Sequence, residues 1–343
     1  MYFRNQRGVS LVELMVSITI GLILMAGVLS IFMSSKVTYL ANEKTARLQE
    51  NGRVALDLIQ HDVRSAGFMG CARSVPFTST LSNSTSVLWN YEIPLQGFES
   101  GGSGTWSPAI AAGMLNPAPV NASDVLVTRA VKRDGIARRM RLDNVDLTGD
   151  LRVENTGPLQ IGTIMLVTDC QAASVFQVTD YAPGTPATIS HAAGGSAPGN
   201  ATNDLGWLYL AGSRATPLET DIYYVANDPV SGEPSLYRQT GAMQPADQLI
   251  EGVQALQISY AEDTNGDRIA DVHRAASTVG DWDNVLSVSL AMLIRSEETG
   301  TDVDSKTYQL LPAAAGGQLF GPFNDRRMRM VFTTTIALRN RAL

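Results

Sequence analysis

An uncharged apolar stretch near the start of the chain limits the possible folds more than any other feature. It runs from Leu14 to Met33 and contains 20 residues. A helix of this length crosses the hydrocarbon core of a bilayer, which is about 30 Å thick. One carboxylate, Glu13, lies at the edge of the stretch. Because an acid at a membrane boundary needs a local partner, Glu13 is a candidate functional residue.

The charges before this stretch predict its orientation. Arg4 and Arg7 precede it, and positively charged flanks stay on the cytoplasmic side, so the bulk of the chain is expected beyond the membrane. An ordinary secretory signal is the alternative, but its apolar region is typically about 7–15 residues long. This stretch is longer and continues into a helical pattern, which favours a membrane anchor.

The helical pattern extends well past the apolar stretch. Beyond Lys36, apolar residues recur at helical spacing and leave a polar face opposite; they are Val37, Leu40, Ala41, Leu48, Ala55, Leu56, Ile59 and Val63. No proline occurs before Pro76. We therefore predict one helix over residues 9–65, about 85 Å long, with Gly52 as a weak point in its middle.

The rest of the chain predicts short antiparallel strands joined by long loops. Gly, Ser, Thr, Asn and Pro are dense over residues 74–123 and 182–206. Runs of period two or high β propensity indicate strands at 124–131, 161–169, 174–181, 221–226, 249–260, 286–294 and 328–338. The expected fold class is α+β, with a long N-terminal helix packed on a β-rich domain.

The sequence around Glu13 resembles the class III signal of type IV prepilins. The residues are R-G-V-S-L-V-E-L, from Arg7 to Leu14. The resemblance implies cleavage by a prepilin peptidase after Gly8, methylation of the new N-terminus at Val9, and an assembly role for Glu13 through the N-terminal amine of a neighbouring subunit. A solvated acid at the headgroup level is the alternative for Glu13. Val9 departs from the phenylalanine that is typical of the family.

The C-terminal run R-R-M-R-M-V-F-T-T-T-I-A-L-R-N-R, residues 326–341, is similar to the ending of the PilW group of minor pilins. This resemblance implies a pilin-like division into a leader (1–8), a transmembrane and filament-core helix (9–35), its amphipathic continuation (36–65) and a β-rich periplasmic domain (66–343). It also implies initiation of pilus assembly at or near the tip. The implied partners are other minor pilins, the major pilin and a PilY-type adhesin, with the inner membrane as the site before assembly.

Two alternatives to this role remain at the level of sequence. A type II secretion pseudopilin would prime a periplasmic pseudopilus, and a pilus-borne module would bind surfaces or DNA. The net charge of −7, which becomes −9 without residues 1–8, argues against nucleic acid. Arg133, Arg138, Arg139 and Arg141 form either a local basic patch or, as we expect, a solvated strand or loop.

A segment rich in Asp and Asn has the spacing of a calcium loop. Asp263, Asn265, Asp267, the carbonyl of Ile269 and Asp271 occupy positions 1, 3, 5, 7 and 9. The pattern is incomplete in two places. Arg268 replaces the glycine of position 6, and Arg274 stands where a bidentate glutamate closes the site, so Asp281 or Asp283 would have to contribute. An Asx-rich turn is the alternative.

The two cysteines, Cys71 and Cys170, predict a disulfide, because an even pair outside the cytoplasm is more often bridged than free. Two separate thiols are the alternative. Catalysis finds no support: the three histidines, at 61, 191 and 273, lie far apart in sequence, and neither cysteine has a neighbouring histidine. We therefore predict a structural protein without enzymatic activity and without a cofactor other than calcium.

Overall fold

The computed structural model describes residues 8–68, 70, 75–144, 146–296 and 305–338. One helix, α1, spans Leu11–Ser65 without interruption, and its 55 residues make it about 83 Å long. The single long helix predicted from the sequence is thus confirmed, with a start two residues later than expected. It begins where Ser10 caps the first turn and ends at Ser65.

Nineteen strands follow within the described residues. In chain order, β1 to β19 are Phe77–Ser79, Leu95–Ser100, Trp106–Ser107, Val125–Val131, Arg138–Arg139, Leu151–Val153, Ile164–Thr168, Ala173–Gln177, Asp180–Ala182, Ala187–Ser190, Arg214–Asn227, Pro234–Thr240, Asp247–Glu251, Val253–Glu262, Val272–Arg274, Val285–Arg295, Tyr308–Gln309, Leu319–Phe320 and Arg329–Ala337. Short 3-10 turns lie at Ala276–Thr278, Trp282–Asn284 and Ala313–Ala315. The α+β prediction is confirmed.

The long strand β11 organises the largest sheet. Its first residues pair with β7 and β5, and its second half pairs with β4 on one side and β12 on the other. The sequence predicted only the second half, 221–226. This sheet has ten strands, whose main path runs β1-β8-β7-β11-β4-β2-β3.

A four-stranded antiparallel sheet carries the helix. Its order is β15-β14-β16-β19, and α1 makes its most extensive contacts with β19 and β16. Leu48, Ala55, Ile59 and Val63 of α1 join the same apolar core as alternate residues of the sheet, namely Val288, Leu290, Met292, Ile294 and Ile336. The alternation predicted for β16 and β19 is therefore confirmed.

A period of two is typical of a half-buried strand, but β16 is covered on both faces. On the face away from α1, Ala291 and Leu293 pack in a second cluster with Leu310 and Leu311. The strand lies inside the sheet, between β14 and β19, so apolar residues occupy both faces.

Gly252 explains why the strand predicted over 249–260 is two strands. It has a φ of +82°, a left-handed conformation that glycine adopts without strain. A Cβ at this position would lie 2.5 Å from the carbonyl oxygen of Arg295. β13, before Gly252, belongs to the ten-stranded sheet, and β14, after it, belongs to the four-stranded sheet. The strand predicted over 174–181 likewise divides into β8 and β9, which lie in different sheets.

Candidate functional site

The N-terminal end of α1 presents Glu13 in the first helical turn. Ser10 is the N-cap, and its side-chain oxygen accepts a hydrogen bond from the backbone N–H of Glu13 at 3.2 Å. Both Gly8 and Glu13 are exposed. A carboxylate at this end of a helix is stabilised by the helix dipole. Glu13 lies four residues after Val9, the residue that the prepilin resemblance makes the new N-terminus.

Sequence reasoning missed the role of Ser10. The residues from Ser10 to Glu13 have the S-x-x-E pattern of a capping box, in which a serine three residues before a glutamate starts a helix. That pattern was the available signal. The described hydrogen bond confirms the serine half of the box.

The first part of α1 has no covering side chains from the rest of the protein. Residues 8–42 are exposed throughout, including Ile20 at 53% and Phe32 at 64%. The segment is long and apolar enough to cross a membrane. Because an apolar surface of this size is not stable in water, it needs lipid or other apolar helices around it.

The other end of α1 holds a buried carboxylate that the sequence analysis overlooked. Asp62 accepts a hydrogen bond from the hydroxyl of Tyr223 and one from Arg133, whose Nη2 lies 2.6 Å from Oδ1. The Nδ1 atom of His61 lies 3.1 Å from the same oxygen. The available signal was the position of Asp62, which is three residues after Ile59 and next to Val63 on the apolar face. We call Asp62, Tyr223 and Arg133 the helix clamp.

Electrostatics favours the charged form of Asp62. Burial alone would raise the pKa of this carboxyl, but the hydrogen bonds from Tyr223, Arg133 and His61 together outweigh burial and lower the pKa. Conversely, burial and the nearby charge of Asp62 raise the pKa of the Tyr223 hydroxyl far above its ordinary value, so that it stays a donor. The clamp is therefore a charge-assisted link between the end of the helix and β11.

A polar groove of about 650 Å³ opens beside the helix clamp, between the end of α1 and strands β4, β11 and β12. Its charged groups neutralise one another. Lys132 lies 3.7 Å from Glu219, and Arg238 lies 3.9 Å from Asp221. The lining contains four acidic residues and three basic ones, together with His61, so the groove has no large excess of either charge.

The arginines between Arg133 and Arg141 do not act together. Arg133 belongs to the helix clamp, whereas Arg138 is only 2% exposed and donates to backbone carbonyls of Gly157 and Pro158. Arg139 and Arg141 are exposed, and Arg141 pairs with Glu154 at 2.8 Å. The segment is therefore neither one basic patch nor uniformly solvated, because Arg133, Arg138 and Arg141 all have partners within the chain.

The arginines near the C-terminus stabilise the domain from within. Arg329 at the start of β19 has no exposed side-chain surface, donates to both carboxylate oxygens of Asp325 at 2.6 Å, and lies over the ring of Phe323. Arg327 and Arg295 both pair with Glu233, which immediately precedes β12. These ion pairs connect the two sheets, so Arg327 and Arg329 of the arginine-rich run have structural roles.

The predicted calcium loop forms a tight turn around Asp263. The carboxylate of Asp263 accepts backbone N–H groups from Asn265, Gly266 and Arg268. Arg268 has a φ of +67°, which is the left-handed conformation that glycine adopts at position 6 of a calcium loop. Arg268 therefore has the backbone conformation expected of position 6.

The side-chain amide of Asn265 lies among the carboxylates of the loop. The amide nitrogen of Asn265 lies 3.1 Å from Asp271 and 3.3 Å from Asp267, where it donates to both carboxylates. Arg274 pairs with Glu262 at 2.5 Å, and Asp281 caps the turn at Trp282–Asn284. Within the described residues, no three His, Cys, Asp or Glu side chains form a metal-binding group. Calcium binding by Asp263, Asn265, Asp267, Ile269 and Asp271 stays a prediction.

The predicted disulfide involves one residue that lies outside the described part of the chain, Cys71. Cys170 follows β7 in a turn and has a φ of +71°. The pairing of Cys71 with Cys170 therefore stays a prediction.

Two protein-family models match the chain, one near each end. Residues 222–340 match the family model described as type IV pilus-assembly protein W, PilW. Residues 3–29 match the prokaryotic N-terminal methylation motif. The chain thus carries a prepilin methylation motif at its N-terminal end and a PilW region at its C-terminal end. Searches of curated proteins and of solved structures found no significant match.

The two matches agree with the division of the structure. The PilW region begins within β11 and includes β12 to β19, together with the sheet on which α1 packs. The methylation motif covers the exposed, apolar start of the helix. The two matches support a type IV pilus-associated minor pilin, and the apolar start of α1 fits an anchor in the inner membrane before incorporation into the pilus.

Proposed function

We propose that this minor pilin helps to initiate type IV pilus assembly, as part of a minor-pilin complex at or near the pilus tip. One observation carries the proposal. A single uninterrupted helix joins a prepilin motif that is exposed and apolar to a PilW region that packs on its other half. This arrangement suits a subunit that enters a filament by its helix and presents its β-rich domain at the surface.

The first step in the proposed mechanism is processing. A prepilin peptidase cuts after Gly8, and the new N-terminus at Val9 becomes methylated. The exposed position of Gly8 ahead of the Ser10 cap supports access to this bond. Cleavage removes Arg4 and Arg7 and creates a positive charge near the first helical turn.

The second step is insertion among neighbouring helices. The apolar half of α1 exchanges lipid for the helices of other pilins, and Glu13 pairs with the N-terminal amine of a neighbour. In a low-dielectric bundle, an unpaired carboxylate is costly, so this pair favours one axial register. The mechanism is structural rather than enzymatic, and the energy for extraction from the membrane comes from other components.

The proposed partners are other minor pilins, the major pilin and a PilY-type adhesin. The β-rich domain after α1, which we call the head, determines which pilins are bound. The exposed half of α1 is a uniformly apolar surface and does not by itself select one partner. The match to PilW favours the pilus over a secretion pseudopilus.

A deletion strain tests the proposal directly. We expect few surface pili when the gene is removed and normal numbers when the wild-type chain is restored, with pili per cell counted by electron microscopy. Mass spectrometry of the mature protein is expected to show an N-terminus at Val9 that carries one methyl group. Unchanged pili together with a loss of protein secretion would contradict the pilus role and favour the pseudopilin.

A further inference from the structure

The last strand, β19, forms an open edge of the four-stranded sheet. Its nine residues pair with β16 alone among the strands that the structure describes. Helix α1 packs on one face of this sheet, where Gly52 lies against the ring of Phe332. On the opposite face, the side chains of Thr333, Thr335 and Ala337 are exposed. The edge of β19 therefore lies beside the packed half of the helix.

The hydrogen-bond register shows which backbone groups face this edge. Ser296 donates its N–H to the carbonyl of Met328, and Leu338 donates to the carbonyl of Leu286, both at 2.9 Å. The register between these two pairs is unbroken. Because bonded pairs occur at every second residue of an antiparallel ladder, the even-numbered residues of β19 bond to β16. The odd-numbered residues therefore point their N–H and C=O groups away from the sheet.

The outward groups of residues 333, 335 and 337 have no hydrogen-bond partner within the described part of the chain. A row of unpaired N–H and C=O groups on an exposed strand is a template for pairing with another strand. Three donors and three acceptors are thus available over the exposed half of β19.

Other strand edges in this fold are protected. Proteins block exposed edges with short strands, charges, proline or bulges. β1, β3 and β15 have only two or three residues, and β13 contains Asp247 and Glu251. In contrast, β19 has no charge and no proline from Met330 to Ala337, and its pairing with β16 has no bulge. The edge of β19 is therefore suited to bind a further strand.

We propose that the edge of β19 binds an extended strand from the head of a neighbouring pilin, which continues the four-stranded sheet through main-chain hydrogen bonds. The assignment rests on the proposed function, which supplies the neighbour. The position of β19 favours this occupant, because a pilin whose helix aligns with α1 brings its own head alongside the packed half of the helix. The edge also lies within the PilW region, residues 222–340.

The side chains at the edge define the chemistry of the incoming strand. Thr333 and Thr335 present hydroxyl and methyl groups on the exposed face. Cross-strand pairs between threonine and another β-branched or hydroxyl side chain are favourable. An uncharged strand that places Thr, Ser or Val opposite these two residues therefore fits best.

A second copy of this chain does not fit the edge in the membrane. A pocket beside Arg295, which lies opposite the first residue of β19, is lined by α1 residues between Leu40 and Asn51. The next residue, Gly52, lies against Phe332 further along β19. The helix and the strand thus advance in the same direction. A symmetric antiparallel pair of β19 strands would point the two anchors in opposite directions, whereas both anchors must enter one membrane with the same orientation.

Thr333→Pro tests the edge, because proline removes one outward N–H and leaves the bonds to β16 in place. The tagged full chain is expressed in one inner membrane with each of the other minor pilins of the same bacterium, extracted in detergent and recovered. The amount of pilin that is recovered with the chain should fall at least about tenfold for Thr333→Pro. Thr333→Val keeps the N–H and the shape of the side chain, so this matched control should bind as the wild type does.

Thr335→Lys is a second variant, which keeps every backbone donor and adds the kind of charge that protects other edges. It should also lower the recovery of the pilin, and the Tm of each variant shows whether the head is folded. Equal losses for Thr333→Pro and Thr333→Val, or no loss for Thr333→Pro and Thr335→Lys, would overturn the proposal. Recovery of a second copy of this chain, or of no pilin at all, with the wild type would also overturn it.

These outcomes are separate from those that test the proposed function. Undiminished recovery of pilins with folded Thr333→Pro would remove the edge and leave the assembly role intact. Normal pili in the deletion strain would contradict the assembly role itself.

Amide hydrogen exchange measures strand pairing at the backbone. In the isolated chain in micelles, the amides of Thr333, Thr335 and Ala337 should exchange fast, and the even-numbered amides between them should exchange slowly. In the co-purified complex, the three outward amides should slow at least about a hundredfold. Outward amides that exchange at the same rate in the complex would show that the partner binds elsewhere and would contradict the proposal.

Discussion

The two halves of α1 belong to one continuous helix but have opposite surroundings. Residues 8–42 are exposed and mostly apolar, whereas the stretch from Glu43 to Ser65 has a buried face on the four-stranded sheet. The exposed part from Leu11 to Asn42 is about 48 Å long at 1.5 Å per residue. A bilayer with its headgroups is about 40–45 Å thick. The exposed part is therefore long enough to cross a bilayer before the packed part of α1 begins.

This difference shows that one helix can serve two separate structural requirements. The packed half is held in place by contacts within the chain. These are the apolar core, the helix clamp and the close approach of Phe332 to Gly52. The exposed half has its partners outside the chain, first lipid and then, in our proposal, other pilins. Substitutions in the two halves should accordingly affect different measurements.

The largest difference is expected for a matched pair of isoleucines. Ile59 is fully buried, and Ile20 is 53% exposed. Ile59→Ala should lower the free energy of unfolding of the head by about 3 kcal/mol because it leaves a cavity. Ile20→Ala should leave it unchanged. Denaturant unfolding in micelles measures both, and equal losses would contradict the division of the helix.

The helix clamp should give the next largest effect. Asp62→Asn removes the charge that Tyr223 and Arg133 surround, and we expect a loss of about 2 kcal/mol in the free energy of unfolding at pH 7. The exposed Asp57→Asn on the same helix is the control.

The helix clamp also predicts that the free energy of unfolding decreases at acidic pH. Because the folded state lowers the pKa of Asp62, its contribution is present above the unfolded value of about 4 and is lost as pH falls further. Asp62→Asn should lack this part of the pH dependence. A variant as stable as the wild type at pH 7 would show that the clamp contributes nothing.

Glycines in the two halves should respond oppositely to alanine. A Cβ on Gly52 would lie 2.5 Å from the ring of Phe332, whereas one on Gly27 meets nothing within 4 Å. Gly27→Ala should stabilise the helix by about 1 kcal/mol, because alanine has a higher helix propensity than glycine. Gly52→Ala gains the same amount but should lose about 2 kcal/mol to overpacking, for a net loss of about 1 kcal/mol. Phe332→Leu in the same chain should relieve that loss; stabilisation by Gly52→Ala alone would contradict the close approach.

The smallest effect on stability is expected from the addition of calcium, which should act only on the head. Calcium should displace the Asn265 amide from between Asp267 and Asp271 and raise the Tm by roughly 3 °C at saturation. Asp271→Asn should abolish this rise, whereas Asp57→Asn should not. Calorimetry with no heat, together with an unchanged Tm, would leave the loop as an Asx-rich turn.

The sequence predicted features that depend on local pattern. The length of α1, the alternation of Val288 to Ile294 and the prepilin motif all follow from spacing along the chain. Contacts between distant residues were not predictable in this way. Asp62 finds Tyr223 and Arg133 only after β4 and β11 have paired, and Gly52 is a weak point in isolation but a contact surface beneath Phe332. The division at Gly252 similarly depends on which sheet each strand joins.

The most direct measurement of the central claim follows Glu13 from the membrane into the pilus. Glu13→Ala should insert into the inner membrane at the wild-type level, while its amount in sheared pili should fall at least about tenfold, because the charge that pairs with a neighbour is gone. Glu43→Ala, which removes a surface pair with Arg47 in the packed half, is the control and should enter pili normally. Normal incorporation of Glu13→Ala would contradict the assignment of the exposed half to filament assembly.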